Sequence, residues 1–208
     1  YWAFWGQDLN GTDAGAGSRP ATDFNISNCS NGNCERRAEY LKVATDLLID
    51  DLEEMASNWR SNGQARNDFM SGGTKKGLTA IITGLGSLSY GELAGERMQL
   101  GLMLHDPEEE HDCFSDNTHN SHYYDLIGMI NVYTGKYVGV NGRIISGVGL
   151  GELVRQKNAS LHNEMMNKLS ETLISMNHMK KTAEAGKSYD QMLASDDDHG
   201  NQIIQDVV

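Results

Sequence analysis

Apolar residues recur at three- and four-residue steps along four long stretches of this chain, which is the spacing of helices that bury one face. The stretches lie near residues 36–60, 74–104, 118–134 and 150–179. The chain contains only two prolines, so little interrupts these helices. Residues 137–145 are the only strand candidate, and they form a short segment. The pattern therefore predicts an all-α protein whose main helices form a bundle.

Smaller features complete this prediction. A short helix is expected at residues 187–194, and the acidic segment 196–200 is expected to cap a further helix. The methionines between residues 150 and 179 are expected to fill the core rather than bind a soft metal. Pro107 is expected to end the helix that precedes it.

The length of 208 residues fits one domain or a large part of a two-domain protein. The chain opens on the aromatic segment Tyr1–Trp5, read as a helix end, and residues 6–23 are rich in glycine and read as an irregular loop. We expect the sequence to be a piece of a longer protein. Residues 1–70 are expected to complete an N-terminal bundle, and residues 71–208 to form a C-terminal bundle.

The formal net charge is −12, from 29 acidic and 17 basic residues. Such a surface repels phosphate backbones, so nucleic acid is not an expected partner. The apolar runs are too short to cross a bilayer. Membrane attachment is therefore expected only through an anchor upstream of this sequence.

Two of the three cysteines, Cys29 and Cys34, lie five positions apart in a polar loop. This is not a zinc-knuckle spacing, and no second pair completes a four-ligand site. A local disulfide is the favoured prediction, and it implies an oxidising compartment such as a periplasm. The alternative is a pair of thiols in a cytosolic loop. In either case Cys113 is left outside the pair.

The stretch from Pro107 to Tyr124 concentrates more metal-binding and proton-transferring groups than any other part of the sequence. Its histidines, carboxylates and cysteine are His111, His119, His122, Glu108, Glu109, Glu110, Asp112, Asp116 and Cys113. Imidazoles and carboxylates together suit iron, zinc, manganese or cobalt. They also suit general acid–base chemistry with a metal-bound water.

Helical spacing supports a metal site in this stretch. His119 and His122 are three positions apart on a predicted helix and can face one point. Three alternatives stay open. The glutamates form a solvated turn, Asp116 or Asn117 only caps a helix, or the histidines are core residues bonded to backbone.

Several longer motifs resemble the imelysin-like proteins, and two of them resemble the iron-regulated branch of that family. The motifs are Trp5-Gly-Gln-Asp8, Gly15-Ala-Gly17-Ser-Arg-Pro20, Thr22-Asp23, Arg36-Arg37-x-x-Tyr40-Leu41, Gly91-Glu-Leu-x-Gly-Glu96-Arg97-Met98 and Glu108-Glu-Glu-His-Asp-Cys-Phe-Ser-Asp-Asn-Thr-His119. The resemblance covers essentially the whole chain. It implies a periplasmic or outer-membrane-attached protein made of two helical halves and linked to iron acquisition.

The same family was first described as a peptidase, with a Gly-x-His-x-x-Glu motif proposed as its metal site. That motif normally comes just before the Trp5 segment, and it is absent from this sequence. The resemblance still implies one wall of a polar pocket between the halves. Its residues by match to the family are Arg19, Glu96, Arg97, Asp116, Asn117 and His119.

The combined prediction is a binding protein of an iron-uptake system that holds iron, an iron chelate or a protein partner. The predicted metal ligands are His111, Asp116, His119 and His122, and the predicted ligand-binding residues are Arg19, Glu96, Arg97, Glu110 and Asn117. Iron or zinc is the expected metal, bound together with carboxylates or a chelate because arginine repels a bare cation. The alternatives are a metal-dependent peptidase and a structural surface lipoprotein.

Overall fold

The computed structural model describes residues 19–208. The predicted helix end at Tyr1–Trp5 and most of the predicted loop at residues 6–23 lie outside the described residues. Contacts divide the described part into two compact units, residues 19–84 and residues 85–208, and each is considered by itself.

The first unit begins with two 3₁₀ turns, Ala21–Phe24 and Ile26–Asn28, followed by three helices. These are α1 (Cys34–Asn58), α2 (Gln64–Ser71) and α3 (Gly73–Gly86). The helix predicted at 36–60 is confirmed as α1 to within two residues at each end. The predicted disulfide between Cys29 and Cys34 is also confirmed, and Cys113 takes no part in it.

The helix predicted at 74–104 continues from α3 through a π-helical segment, Ser87–Gln99, into α4, Leu100–Leu104. The apolar spacing located this long helix, but it did not predict the change in hydrogen bonding. His105 follows α4 in the left-handed conformation, and a 3₁₀ turn begins at Pro107. The helix therefore ends just before the proline, as predicted.

The helix predicted at 118–134 is α5, Thr118–Thr134. The strand candidate proves to be two short antiparallel strands, β1 (Lys136–Val138) and β2 (Ile144–Ser146), with Lys136 opposite Ser146. The candidate segment is therefore a strand at each end, because its middle turns back on itself.

The prediction of one helix at 150–179 is also wrong. Two helices occupy this stretch, α6 (Leu150–Lys157) and α7 (Ala159–Glu184). Asn158 separates them because it is extended, with φ −156° and ψ 94°, and its side chain accepts a hydrogen bond from the Leu161 amide. This is the geometry of a helix N-cap, so a new helix starts where the pattern predicted continuation.

The chain closes with α8 (Tyr189–Leu193), within the helix predicted at 187–194, and α9 (Asp198–Gln205). Asp197 accepts a hydrogen bond from the Gly200 amide at 3.1 Å, which confirms the predicted capping turn. No helix among the described residues is long and apolar enough to cross a membrane.

The core of the second unit brings together the π-helical segment, α4, α5, α7, α8 and α9. Its fully or nearly fully buried side chains are Leu93, Met98, Leu102, Leu126, Met129, Met176, Met179, Tyr189, Met192, Leu193, Ile203 and Ile204. Methionine fills much of this core, as predicted for Met176. Met165 and Met166, assigned to the same apolar face, are instead 41 % and 37 % exposed.

Candidate functional site

The polar stretch after α4 is held by local hydrogen bonds. Asp106 accepts a bond from the Glu108 amide at 3.0 Å and so caps the short 3₁₀ turn Pro107–Glu109. Asp116 has a positive φ of 50°, a conformation that aspartate tolerates better than most residues. The stretch then enters α5 after Asn117, whose side chain makes no capping bond to the helix.

Three carboxylates meet in this region, and we call Glu110, Asp116 and Asp190 the carboxylate cluster. Each offers one oxygen, and these three oxygens lie within 4.8 Å of one another. Glu110 is 5 % exposed and Asp190 is 2 % exposed, while Asp116 is half-buried. Asp190 arrives from α8, which packs against the 3₁₀ turn at Pro107–Glu109.

Hydrogen bonds orient two members of the cluster. Thr118 donates from its hydroxyl to Glu110 Oε2 at 2.8 Å, and the same hydroxyl accepts from the Asp112 amide at 2.9 Å. Ser188 donates to Asp190 Oδ1. The other oxygen of that residue, Asp190 Oδ2, is buried and has no hydrogen-bond partner among the described residues. A buried carboxylate oxygen without a donor carries an uncompensated desolvation cost.

Burial governs the charge of the cluster. Desolvation raises the pKa of Glu110 to about 8, and the negative charges of Asp190, Asp116 and Asp112 push it in the same direction. The hydrogen bond from Thr118 opposes this shift. No ion pair among the described residues includes Glu110 or Asp190. At neutral pH the cluster therefore retains a proton on Glu110 unless a cation replaces it.

His122, a predicted ligand, is completely buried one turn further along α5. Its ring lies edge-on to Tyr189 and has its centroid 6.1 Å from that of His111, which is exposed. Neither ring nitrogen of His122 has a hydrogen-bond partner among the described residues. Burial lowers the pKa of His122 to about 3, helped by the charges of His111 and Arg97. The imidazole is therefore neutral at physiological pH.

His119 has different neighbours. It is half-buried, and its Nε2 lies 3.1 Å from the Asn120 side-chain amide. Burial lowers the pKa of His119, with a further contribution from the charge of Lys180. Like His122, it is a neutral imidazole at physiological pH.

The remaining predicted residues have partners of their own. Arg97 bonds Asp125 at 2.9 Å and lies 3.7 Å from Glu92, while Glu96 is exposed. Asn117 is exposed and accepts a bond from the Asn120 side chain. Arg19 belongs to the first unit, where it pairs with Asp23 at 2.6 Å.

Sequence reasoning missed Asp190. Local spacing could not reveal it, because it lies far along the chain from Glu110 and Asp116 and reaches them only through the packing of α8. Its sequence signal is limited to one acidic residue in a short helix, Tyr189–Leu193. Tyr189 was missed for the same reason, although it packs directly on His122.

The fold and the site together define a mainly helical protein with a buried acidic cluster between a turn and a short helix. A protein-family model described as imelysin and classed as peptidase M75 matches residues 2–208. The chain therefore belongs to the imelysin family. The comparison with curated proteins gave no match.

Proposed function

We propose that this imelysin-family protein binds a metal cation at the carboxylate cluster and serves an iron-uptake system outside the cytoplasm. One observation carries the proposal. Three carboxylate oxygens lie within 4.8 Å of one another, and two of them belong to residues that are almost fully buried. Carboxylates at such distances repel one another unless protons or a cation compensate their charge.

A cation fits this cluster for two further reasons. Asp190 Oδ2 is already desolvated and has no hydrogen bond among the described residues, so no protein contact there has to be broken on binding. The cluster offers only oxygen donors, which hard cations prefer, whereas zinc favours nitrogen and sulfur ligands. Iron therefore fits the cluster better than zinc does. Glu110, Asp116 and Asp190 would supply the protein oxygens.

The proposed location outside the cytoplasm is supported by the disulfide between Cys29 and Cys34, because disulfides persist in oxidising compartments. This fits a periplasmic or outer-membrane-attached protein. The proposal includes two further possibilities. The protein binds the iron as a chelate, or it binds a protein partner of the iron-uptake system. The net charge of −12 also favours accumulation of cations near the surface.

Isothermal titration calorimetry with ferrous iron under anaerobic conditions, and separately with zinc, tests the proposal. Glu110→Gln and Asp190→Asn are expected to weaken iron binding at least tenfold, because each removes a charged oxygen donor. Glu109→Gln is the matched control, since Glu109 is the exposed neighbour of Glu110. His119→Ala tests the predicted histidine ligand. Absence of iron binding to the wild-type protein, or equal binding to all variants, would refute the proposal.

A metal-dependent peptidase is the second candidate. The raised pKa of Glu110, about 8, favours it because such a carboxyl exchanges a proton near neutral pH. The matching family model is classed as peptidase M75, which also favours a peptidase. Incubation with a mixture of unstructured peptides, with and without iron or zinc, tests this candidate by mass spectrometry. Cleavage must disappear in Glu110→Gln and persist in Glu109→Gln.

A further inference from the structure

The disulfide of the first unit has two unlike ends. Cys29 is exposed in the loop before α1. Cys34 is 3 % exposed and is the first residue of α1, a helix of 25 residues. Cys29 is therefore the more accessible of the two cysteines to a thiol reagent from solvent.

A guanidinium lies beside the buried end. Arg37 Nη2 lies 3.5 Å from Cys34 Sγ, and Arg37 Nε donates to the Asp23 carbonyl at 2.9 Å. The Asp23 carboxylate partly offsets this charge, but two guanidiniums face it, Arg19 at 2.6 Å and Arg37 at 4.0 Å. Cys34 is the first residue of α1, so the positive end of the helix dipole adds to the positive potential.

One feature opposes a thiolate at Cys34. The carbonyl oxygens of Thr22 and Gly32 lie 3.8 Å and 3.6 Å from Sγ, where they can accept a bond from a neutral thiol. A thiol is a weak donor, whereas a hydrogen bond from a guanidinium to an anion is among the strong ones. The surroundings of Cys34 therefore favour the thiolate.

We propose that the Cys29–Cys34 disulfide is a thiol–disulfide exchange site with a fixed direction of attack. A thiolate from solvent bonds to Cys29 Sγ, the sulfur–sulfur bond breaks, and its electron pair leaves on Cys34 Sγ as a stabilised thiolate. A second thiolate then attacks the external sulfur of the mixed disulfide and releases the Cys29 thiolate. The protein gains two electrons, and the external thiols become one disulfide.

The loop between the cysteines is held independently of the disulfide, which makes the exchange reversible. Asp23 accepts bonds from Ser30 at 2.7 Å and from Asn31 at 2.9 Å, and both residues lie between Cys29 and Cys34. The two sulfurs therefore stay close after reduction, and oxidation restores the same pairing without reordering the loop.

Trapping the intermediate tests the direction of attack. The Cys113→Ser protein is exposed briefly to glutathione, alkylated rapidly and analysed by mass spectrometry after proteolysis. The expected product carries glutathione on Cys29 and the alkyl group on Cys34. Glutathione on Cys34, or an equal distribution between the two cysteines, would overturn the proposal.

The rate of reduction tests the role of charge. Arg37→Gln is expected to slow reduction by glutathione about threefold, because the leaving thiolate loses its guanidinium. Arg36→Gln is the matched control, since Arg36 is an exposed arginine at the neighbouring position. Mere loosening of the loop by Arg37→Gln would expose the disulfide and speed its reduction. An unchanged or faster rate in Arg37→Gln would therefore contradict the proposal.

Discussion

The imidazole of His122 packs edge-on against the phenol ring of Tyr189, with the ring centroids 5.4 Å apart and the planes at 87°. Both side chains are completely buried. The Tyr189 hydroxyl donates to the Arg97 carbonyl at 3.4 Å, whereas the His122 nitrogens have no hydrogen-bond partner among the described residues. The pair therefore joins α5 to α8 beside the carboxylate cluster and tolerates only a neutral imidazole.

The burial of His122 predicts a dependence of stability on pH. Its pKa is about 3 in the folded protein and 6.5 in its ordinary state, so the unfolded chain binds more protons between these values. The stability contributed by neutral His122 is therefore lost as pH falls from 6.5 towards 3. His122→Leu should remove this loss in urea unfolding experiments followed by circular dichroism.

The control for this prediction is His178→Gln, because His178 is an exposed histidine on α7. Glu110 contributes the opposite slope, with stability falling as pH rises from 4.5 to about 8, so wild type and variant are compared at each pH. An identical pH dependence in wild type and His122→Leu would contradict the assignment.

The Thr118 hydroxyl predicts a second measurable effect. Thr118→Val removes the donor to Glu110 Oε2 and the acceptor for the Asp112 amide, and we expect a loss of about 1–3 kcal/mol in the free energy of unfolding. Thr118→Ser keeps the hydroxyl and loses only a methyl group, worth about 1 kcal/mol. Urea unfolding of the metal-free variants measures both. Equal stability of the valine and serine variants would disprove a role for the hydroxyl.

Gly151 predicts a steric effect at the start of α6. A Cβ atom at this position lies 2.8 Å from Cε1 of Tyr133, whose hydroxyl bonds His162 Nδ1 at 3.1 Å and so holds the ring in place. Gly151→Ala is expected to cost about 1–3 kcal/mol, measured by thermal unfolding. Gly147→Ala is the control, because a Cβ there meets nothing within 4 Å. Similar losses in both variants would reject the steric explanation.

The cap at Asn158 predicts a smaller effect. Asn158→Ala removes the acceptor for the Leu161 amide, which lies 3.1 Å from Asn158 Oδ1, and should cost about 1 kcal/mol in urea unfolding. Asn158→Asp retains a capping oxygen and should be close to wild type. Asn163→Ala, at an exposed position inside α7, should be neutral or slightly stabilising. A stable Asn158→Ala protein with a single long helix would show that the cap does not separate α6 from α7.

The helices were predictable because their apolar faces repeat in the sequence, whereas the break at Asn158 was not. Apolar residues such as Leu153 and Leu161 continue the helical spacing on both sides of it. One asparagine within such a pattern gives no sign that its backbone is extended.

The disulfide was predictable, because only five positions separate its cysteines in a polar loop.

The site was only partly predictable. Glu110 and Asp116 lie in the stretch that composition singled out, and the structure brings their oxygens together with one from Asp190. The presence of Asp190 in the cluster depends on the packing of α8 against the turn. That packing is determined by the whole core, so local sequence spacing does not predict it. Arg97 stays a predicted pocket residue, and the partner of its guanidinium, Asp125, lies on α5 outside the local motif.

The long separation between Glu110 and Asp190 along the chain has a consequence for the order of folding. The two carboxylates meet only when α8 docks. The elements that lie between them in the sequence are α5, the strands β1 and β2, α6 and α7. Above the Glu110 pKa of about 8, both groups are charged in the metal-free protein, and their repulsion opposes the docking of α8. Raising the pH from 7 to 9 is therefore expected to open α8 more readily, so that its amide protection from hydrogen exchange, corrected for the intrinsic rate, falls more than that of α5 and α7.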